Sequence, residues 1–120
     1  MKRILVVDDN VENAEVVLLL FEDAGYDLRT CLDATLFESL FEDFCPDLVL
    51  MDVMLGTCNG ADICRALKSD PLRAATKVVL MSAGNRFTGT DGQPSLADAV
   101  LEKPFDLETM EKLVRKMLED

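Results

Sequence analysis

Three short apolar runs constrain the fold of this 120-residue chain more than any other feature. Ile4-Leu5-Val6-Val7, Leu48-Val49-Leu50-Met51 and Val78-Val79-Leu80-Met81 are continuous, not alternating. A strand with one face in water alternates apolar with polar residues. A run without alternation marks a strand covered on both faces, as in a parallel sheet between helices. Leu28 to Leu32 and Ala99 to Leu101 are weaker strand candidates, suited to the sheet edges.

Helical patterns lie between these runs. Residues 11–24 lead to Gly25, a natural helix stop. Leu36, Phe37, Leu40, Phe41 and Phe44 share one helix face, with Asp33 placed to cap it and Pro46 beyond its end. Ile63, Ala66 and Leu67 mark a shorter helix ending before Asp70-Pro71. Leu107, Met110, Leu113, Val114, Met117 and Leu118 mark the last, with Asp106 as its cap. Alternating strands and helices predict an α/β fold: a three-layer αβα domain with a five-stranded parallel sheet and right-handed crossovers. A single domain spans 1–120. Residues 84–96 break the pattern, holding three of the six glycines and a proline with no apolar period. The fourth helix should fall here and is expected to be short or irregular.

Charge and composition exclude several functions. The first 60 residues carry 13 acids and 3 bases, the last 60 carry 10 acids and 9 bases, and the net charge is −11. Direct binding of nucleic acid or of acidic membranes is not expected, because both rest on clustered Lys and Arg. An acidic half suits a hard cation or a basic partner. With no histidine, imidazole catalysis and imidazole metal sites are excluded. Cys31, Cys45, Cys58 and Cys64 lie 14, 13 and 6 residues apart, without a C-x-x-C pair. Nothing at the N-terminus resembles a signal peptide. These cysteines therefore read as small buried hydrophobes of a reduced, cytoplasmic protein. No run approaches the roughly 20 apolar residues of a membrane span.

The chemistry sits where the strands end. The first run ends in Asp8-Asp9, the second in Asp52 and the third in Ser82, and the last strand leads into Glu102-Lys103-Pro104. In parallel sheets these ends meet at one edge, where ligands bind. Gathered carboxylates repel and raise one another's pKa, which a divalent cation relieves. A lysine and a hydroxyl beside them can hold phosphoryl oxygens. The set describes a site for Mg²⁺ and a phosphoryl group, with a carboxylate as nucleophile.

On these motifs the chain resembles the receiver domain of two-component response regulators over essentially its whole length. The matching segments are Ile4-Leu5-Val6-Val7-Asp8-Asp9-Asn10, Pro46-Asp47-Leu48-Val49-Leu50-Met51-Asp52, Val79-Leu80-Met81-Ser82-Ala83 and Leu101-Glu102-Lys103-Pro104-Phe105. The resemblance implies a flavodoxin-like sheet of order 2-1-3-4-5. It implies that Asp52 is the phosphoacceptor, charged by a histidine kinase or histidine phosphotransfer protein. It implies Mg²⁺ bound by Asp9, Asp52 and the Met54 carbonyl, with Asp8 acting through water. Lys103 would pair with Asp52 and then with the phosphoryl group, while Ser82 carries the switch. Lys103-Pro104 would be a cis peptide, and Gly60 the turn glycine before the third helix. Val16 and Leu19, facing outward on the first helix, would dock the phosphodonor.

Two residues depart from the family. Gly56 stands where proline is usual, which loosens the loop after Asp52. Val100 stands where an aromatic residue usually swings inward on activation. Signalling through rearrangement of 84–96 is expected instead, toward a downstream protein that the sequence does not name. A pseudo-receiver that binds without phosphorylation is the alternative reading. A Mg²⁺-dependent phosphatase of the haloacid-dehalogenase type ranks lower, since its Asp-x-Asp signature fails. A flavin site is weaker still, because Asp8-Asp9 would repel its phosphate. The chain reads either as a stand-alone receiver or as a piece of a larger regulator or hybrid kinase, and its start at Met1 and end just after the last helical pattern favour the former.

Overall fold

The three apolar runs lie side by side at the centre of one parallel sheet. The computed structural model describes residues 1–84 and 86–119. Strands β1 (Arg3–Val7), β2 (Asp27–Cys31), β3 (Leu48–Asp52), β6 (Lys77–Ala83) and β7 (Ala99–Lys103) pair in the order β2-β1-β3-β6-β7. Counting only these five, the order is the expected 2-1-3-4-5. The weaker candidates, β2 and β7, are the edges.

Helices α1 (Val11–Phe21), α2 (Phe37–Phe44), α3 (Gly60–Lys68) and α4 (Leu107–Leu118) cover both faces. Ile4, Val6, Leu48 and Leu50 pack with Ala14, Phe21, Met110 and Val114 of α1 and α4. Leu5, Val7, Val49 and Met51 pack with Phe37, Phe41, Cys64 and Leu67 of α2 and α3. Neighbours along one strand point to opposite faces, so a strand buried on both must be apolar throughout. All eight of these strand residues are fully buried.

Local signals set the helix ends. The Asn10 side chain accepts from Asn13 N at 3.0 Å. Asp33 accepts from Thr35 N at 2.9 Å, and Asp106 from Thr109 N at 2.7 Å. These are side-chain caps on otherwise orphaned amides. α1 stops at Phe21, not at residue 24, and the chain turns through Gly25 at φ +82°. A short 3-10 turn, Ala34–Leu36, precedes α2 and rotates Leu36 off the apolar face, leaving it exposed. In α3 the buried positions are Gly60, Ala61, Cys64 and Leu67, whereas Ala66 is exposed.

The irregular stretch contains no helix among its described residues. Gly84, Gly92 and Leu96 all have positive φ, which a right-handed helix cannot contain. Residues 88–94 fold back on themselves through a lone bridge between Thr88 and Pro94. Asn85 lies outside the described residues. After Asp52 the chain forms a hairpin that the sequence reading missed. Strands β4 (Met54–Leu55) and β5 (Cys58–Asn59) are joined across Gly56 and Thr57. Gly56 has φ +66°, which proline, locked near −65°, cannot adopt.

Lys68 ties the far end of the sheet together. Its Nζ donates to Ala74 O at 2.7 Å, Thr76 O at 3.0 Å and Asp98 Oδ2 at 2.9 Å. Asp98 Oδ2 also accepts from Val78 N at 2.8 Å. Lys68→Met keeps the stem but takes the lysine's bond from the Ala74 and Thr76 carbonyls and leaves Asp98 without its cation. It should lower stability by about 2 kcal/mol, read as a shifted urea midpoint at unchanged slope.

All four cysteines are free; Cys31 and Cys64 are buried, Cys58 is half-buried and Cys45 is exposed. The expectation of buried cysteines therefore holds for two. Burial is the main cause that pushes the Cys64 thiol up to about 12. A thiolate-trapping reagent at pH 8 should modify Cys45 quickly and Cys58 more slowly. Cys31 and Cys64 should react only after unfolding. Because native Cys64 keeps its proton where the unfolded thiol loses it, this group's stabilising contribution should decline above pH 9.

Candidate functional site

The sheet register assembles the site. Val7 pairs with Met51, so Asp8 follows at the end of β1 beside the end of β3. Asp52 pairs with Met81, which places Ser82 one residue further along. Ser82 pairs with Glu102 and Ala83 with Lys103, completing the edge.

Asp52 is the best-held carboxylate. It is 7% exposed. Its Oδ2 receives Lys103 Nζ at 2.6 Å, and its Oδ1 receives Met54 N at 3.0 Å. Backbone bonds fix the strand end that carries it: Val53 N donates to Met81 O at 2.9 Å, and Gly60 N to Val53 O at 2.7 Å. Lys103 reaches across from β7, and Lys103–Pro104 is cis as expected.

Asp8 is also buried, with Oδ1 accepting from Asn10 N at 2.9 Å. Burial is the main cause that raises its pKa, and the Asn10 amide opposes it. The neighbouring charges of Asp52 and Asp9 raise it further, while Lys103 lowers it. Asp9 is exposed, beside Gly56 of the hairpin turn. Ser82 is buried, and its hydroxyl donates to Ala83 O at 3.3 Å.

The donors at this edge are all oxygens, which suits a hard divalent cation. Burial raises the pKa of Asp8 most, and the charges of Asp52 and Asp9 add a smaller repulsion that such a cation would relieve. Among the described residues, however, no three acidic side chains are gathered closely enough to hold a metal ion. Asp52 is turned onto Lys103 instead. The residue types fit Mg²⁺; the resting arrangement spends one carboxylate on the lysine.

The remaining expected residues divide. Gly60 packs directly on the Asp52 backbone, for a Cβ there would lie 2.2 Å from Asp52 O. Val16 and Leu19 are both exposed, at 44% and 65%. Val16 borders an apolar cleft of about 470 Å³ with Met81, Phe105, Leu107 and Met110, which reaches Asp8 and Lys103. Leu19 does not line it. Val100 lies on edge strand β7 and is 47% exposed. Sequence reasoning missed Asn10, whose amide steadies Asp8, and Asn59, whose Oδ1 accepts from Ala61 N at 2.7 Å and caps α3. An Asn one residue before each helical pattern was the available signal.

Residues 4–115 match the family described as the response regulator receiver domain. The chain is 35% identical over 119 residues to the DNA-binding dual master transcriptional regulator RpaA of Synechocystis sp., covering 98% of this chain and 49% of that protein. It is 34% identical over 118 residues to the DNA-binding response regulator MtrA of Mycobacterium tuberculosis, covering 98% and 50%. It therefore spans about half the length of these relatives. The chemotaxis response regulator CheY4 of Vibrio cholerae superposes with a TM-score of 0.84 at 23% identity, covering 98% of this chain and 99% of that one. That likeness concerns the fold.

Proposed function

The chain belongs to the response regulator receiver domain family of two-component systems, and on that premise we propose that it is a phosphoacceptor switch centred on Asp52. The observation that carries this reading is the Asp52–Lys103 contact of 2.6 Å at the carboxyl edge of the sheet. An Asp52 oxygen attacks the phosphorus of a partner's phosphohistidine. A P–O bond forms, the P–N bond breaks, and the imidazole leaves. Lys103 stays with the negative charge as it passes from carboxylate to phosphoryl oxygens. The Ser82 hydroxyl exchanges the Ala83 carbonyl for a phosphoryl oxygen. Asp9, Asp52 and the Met54 carbonyl would hold Mg²⁺, with Asp8 acting through water, and the ion would supply charge neutralisation at the transferring group.

The switch promotes its own charging and discharge without being an enzyme acting on an external substrate. Its phosphodonor, a histidine kinase or histidine phosphotransfer protein, docks at Val16 and Leu19 in a cytoplasmic setting. No described helix is long and apolar enough to cross a membrane. The relatives' names describe DNA-binding proteins about twice this length. The acidity of this chain bears only on its own surface, and its direct target is a protein. Exposed Val100 and the helix-free 86–96 segment favour a second reading, a pseudo-receiver that binds without phosphorylation.

Intact-mass spectrometry separates the two. Incubation with Mg²⁺ and acetyl phosphate should add one phosphoryl group, and chelation should prevent it. If neither acetyl phosphate nor a phosphohistidine protein charges the folded chain, the pseudo-receiver stands.

A further inference from the structure

The hairpin that follows Asp52 has a register with a chemical consequence. Gly60 N donates to Val53 O at 2.7 Å, so Val53 and Gly60 prolong the β4–β5 ladder as a hydrogen-bonded pair. Hydrogen-bonded and non-hydrogen-bonded pairs alternate along an antiparallel ladder. The next pair, Met54 with Asn59, is therefore one whose backbone groups point away from the partner strand. The Met54 amide is accordingly free of β5, and it donates to Asp52 Oδ1 at 3.0 Å. The N–H and C=O of one strand residue lie along the same edge, so the Met54 carbonyl is turned to that edge too.

A two-stranded hairpin of so few pairs is marginal alone, and this one is pinned at both ends. Its turn uses Gly56 at φ +66°. Its far end is Asn59, whose Oδ1 accepts from Ala61 N at 2.7 Å and from Asp62 N at 3.2 Å. The residue that faces Met54 is thus also the cap of α3. That helix is anchored in the core through Ala61, Cys64 and Leu67.

We propose that Asn59 is a positioning residue for the phosphoacceptor site. By joining the α3 cap to the strand opposite Met54, it holds the Met54 amide on Asp52 and keeps the Met54 carbonyl turned outward for Mg²⁺. This role rests on the phosphoacceptor reading, in which that carbonyl is a metal ligand. Without the Asn59 side chain the short ladder frays from its far end. Asp52 then keeps Lys103 but loses the steady second donor. Groups that orient a metal ligand commonly alter metal affinity by about tenfold or more.

Mg²⁺ titration of the full chain tests this. It is read by melting temperature without a phosphodonor, and by intact mass with acetyl phosphate. Asn59→Ala should need about tenfold more Mg²⁺ for the same rise in melting temperature and for half-maximal charging. Asn59→Ser keeps a capping oxygen and should stay within about twofold of the wild type. Asp33→Ala removes the cap before α2, so it should melt earlier with an unchanged Mg²⁺ requirement. If Asn59→Ala does not fold, Asn59→Gly, a milder loss of the cap, should show the same rise. A wild-type Mg²⁺ requirement in the folded Ala or Gly variant overturns the positioning role alone, as does an equal rise in Asp33→Ala. Absence of any adduct in the wild type overturns the phosphoacceptor reading, and this role with it.

Discussion

Asp52→Ala is expected to abolish the phosphoryl adduct completely while moving the unfolding free energy by no more than about 1 kcal/mol. The loss of adduct follows from position: Asp52 is the carboxylate that Lys103 contacts. The small stability change follows from opposing effects. The variant strands Lys103 and the Met54 amide, but the Lys103 side chain is 32% exposed and water can take over its charge. It also removes a negative charge that raises the pKa of Asp8, so the Asp8 carboxyl should titrate lower in the variant. Intact mass, urea unfolding and carboxyl NMR titration read the three effects separately. An adduct at wild-type yield would place the phosphoacceptor elsewhere.

Gly60→Ala should cost about 3 kcal/mol, although one methyl group is the whole change. The added carbon would lie 2.2 Å from Asp52 O and 3.1 Å from both Asp52 C and Val53 Cα. All three are backbone atoms at the strand end that carries Asp52, so none can rotate away. Alanine's higher helix propensity returns at most about 1 kcal/mol. Either α3 or the Asp52 loop must shift, and charging by acetyl phosphate should slow at least tenfold. Gly56→Ala is the contrasting case. Its φ of +66° strains any side chain, but the nearest atom, Asp9 Oδ2, is 3.7 Å away. That variant should lose only about 1 kcal/mol. A Gly60→Ala protein as stable as the wild type would show that α3 is not seated on Asp52 as described.

The sheet was legible in the sequence because its signal is strong and local. Ile4 to Val7, Leu48 to Met51 and Val78 to Met81 can be buried on both faces only at the centre of a parallel sheet. The polar residues at their ends then had to share one edge. The pairing of Lys103 with Asp52 came from the resemblance to receiver domains, and the side-chain caps Asp33 and Asp106 from spacing. What escaped was set by backbone conformation or by distant partners. The hairpin at Gly56 turns on one positive φ, as does the break at Leu96. The Asp62–Thr90 hydrogen bond joins residues 28 apart through a segment with no periodic pattern. Leu36 and Ala66 fitted the helical periods but face water, since a 3-10 turn and a shifted face changed their phase.

The central strands have one more consequence. Leu5, Val7, Val49, Met51, Val78 and Leu80 serve one core, while Ile4, Val6, Leu48, Leu50, Val79 and Met81 serve the other. No strand side chain belongs to both, so the backbone is a partition between two separately furnished compartments. Changes on opposite sides of it, such as at Val6 and Val7, should add their costs instead of compensating one another. Each compartment can then drift in sequence without consulting the other, provided the polar rim where both meet keeps its alignment.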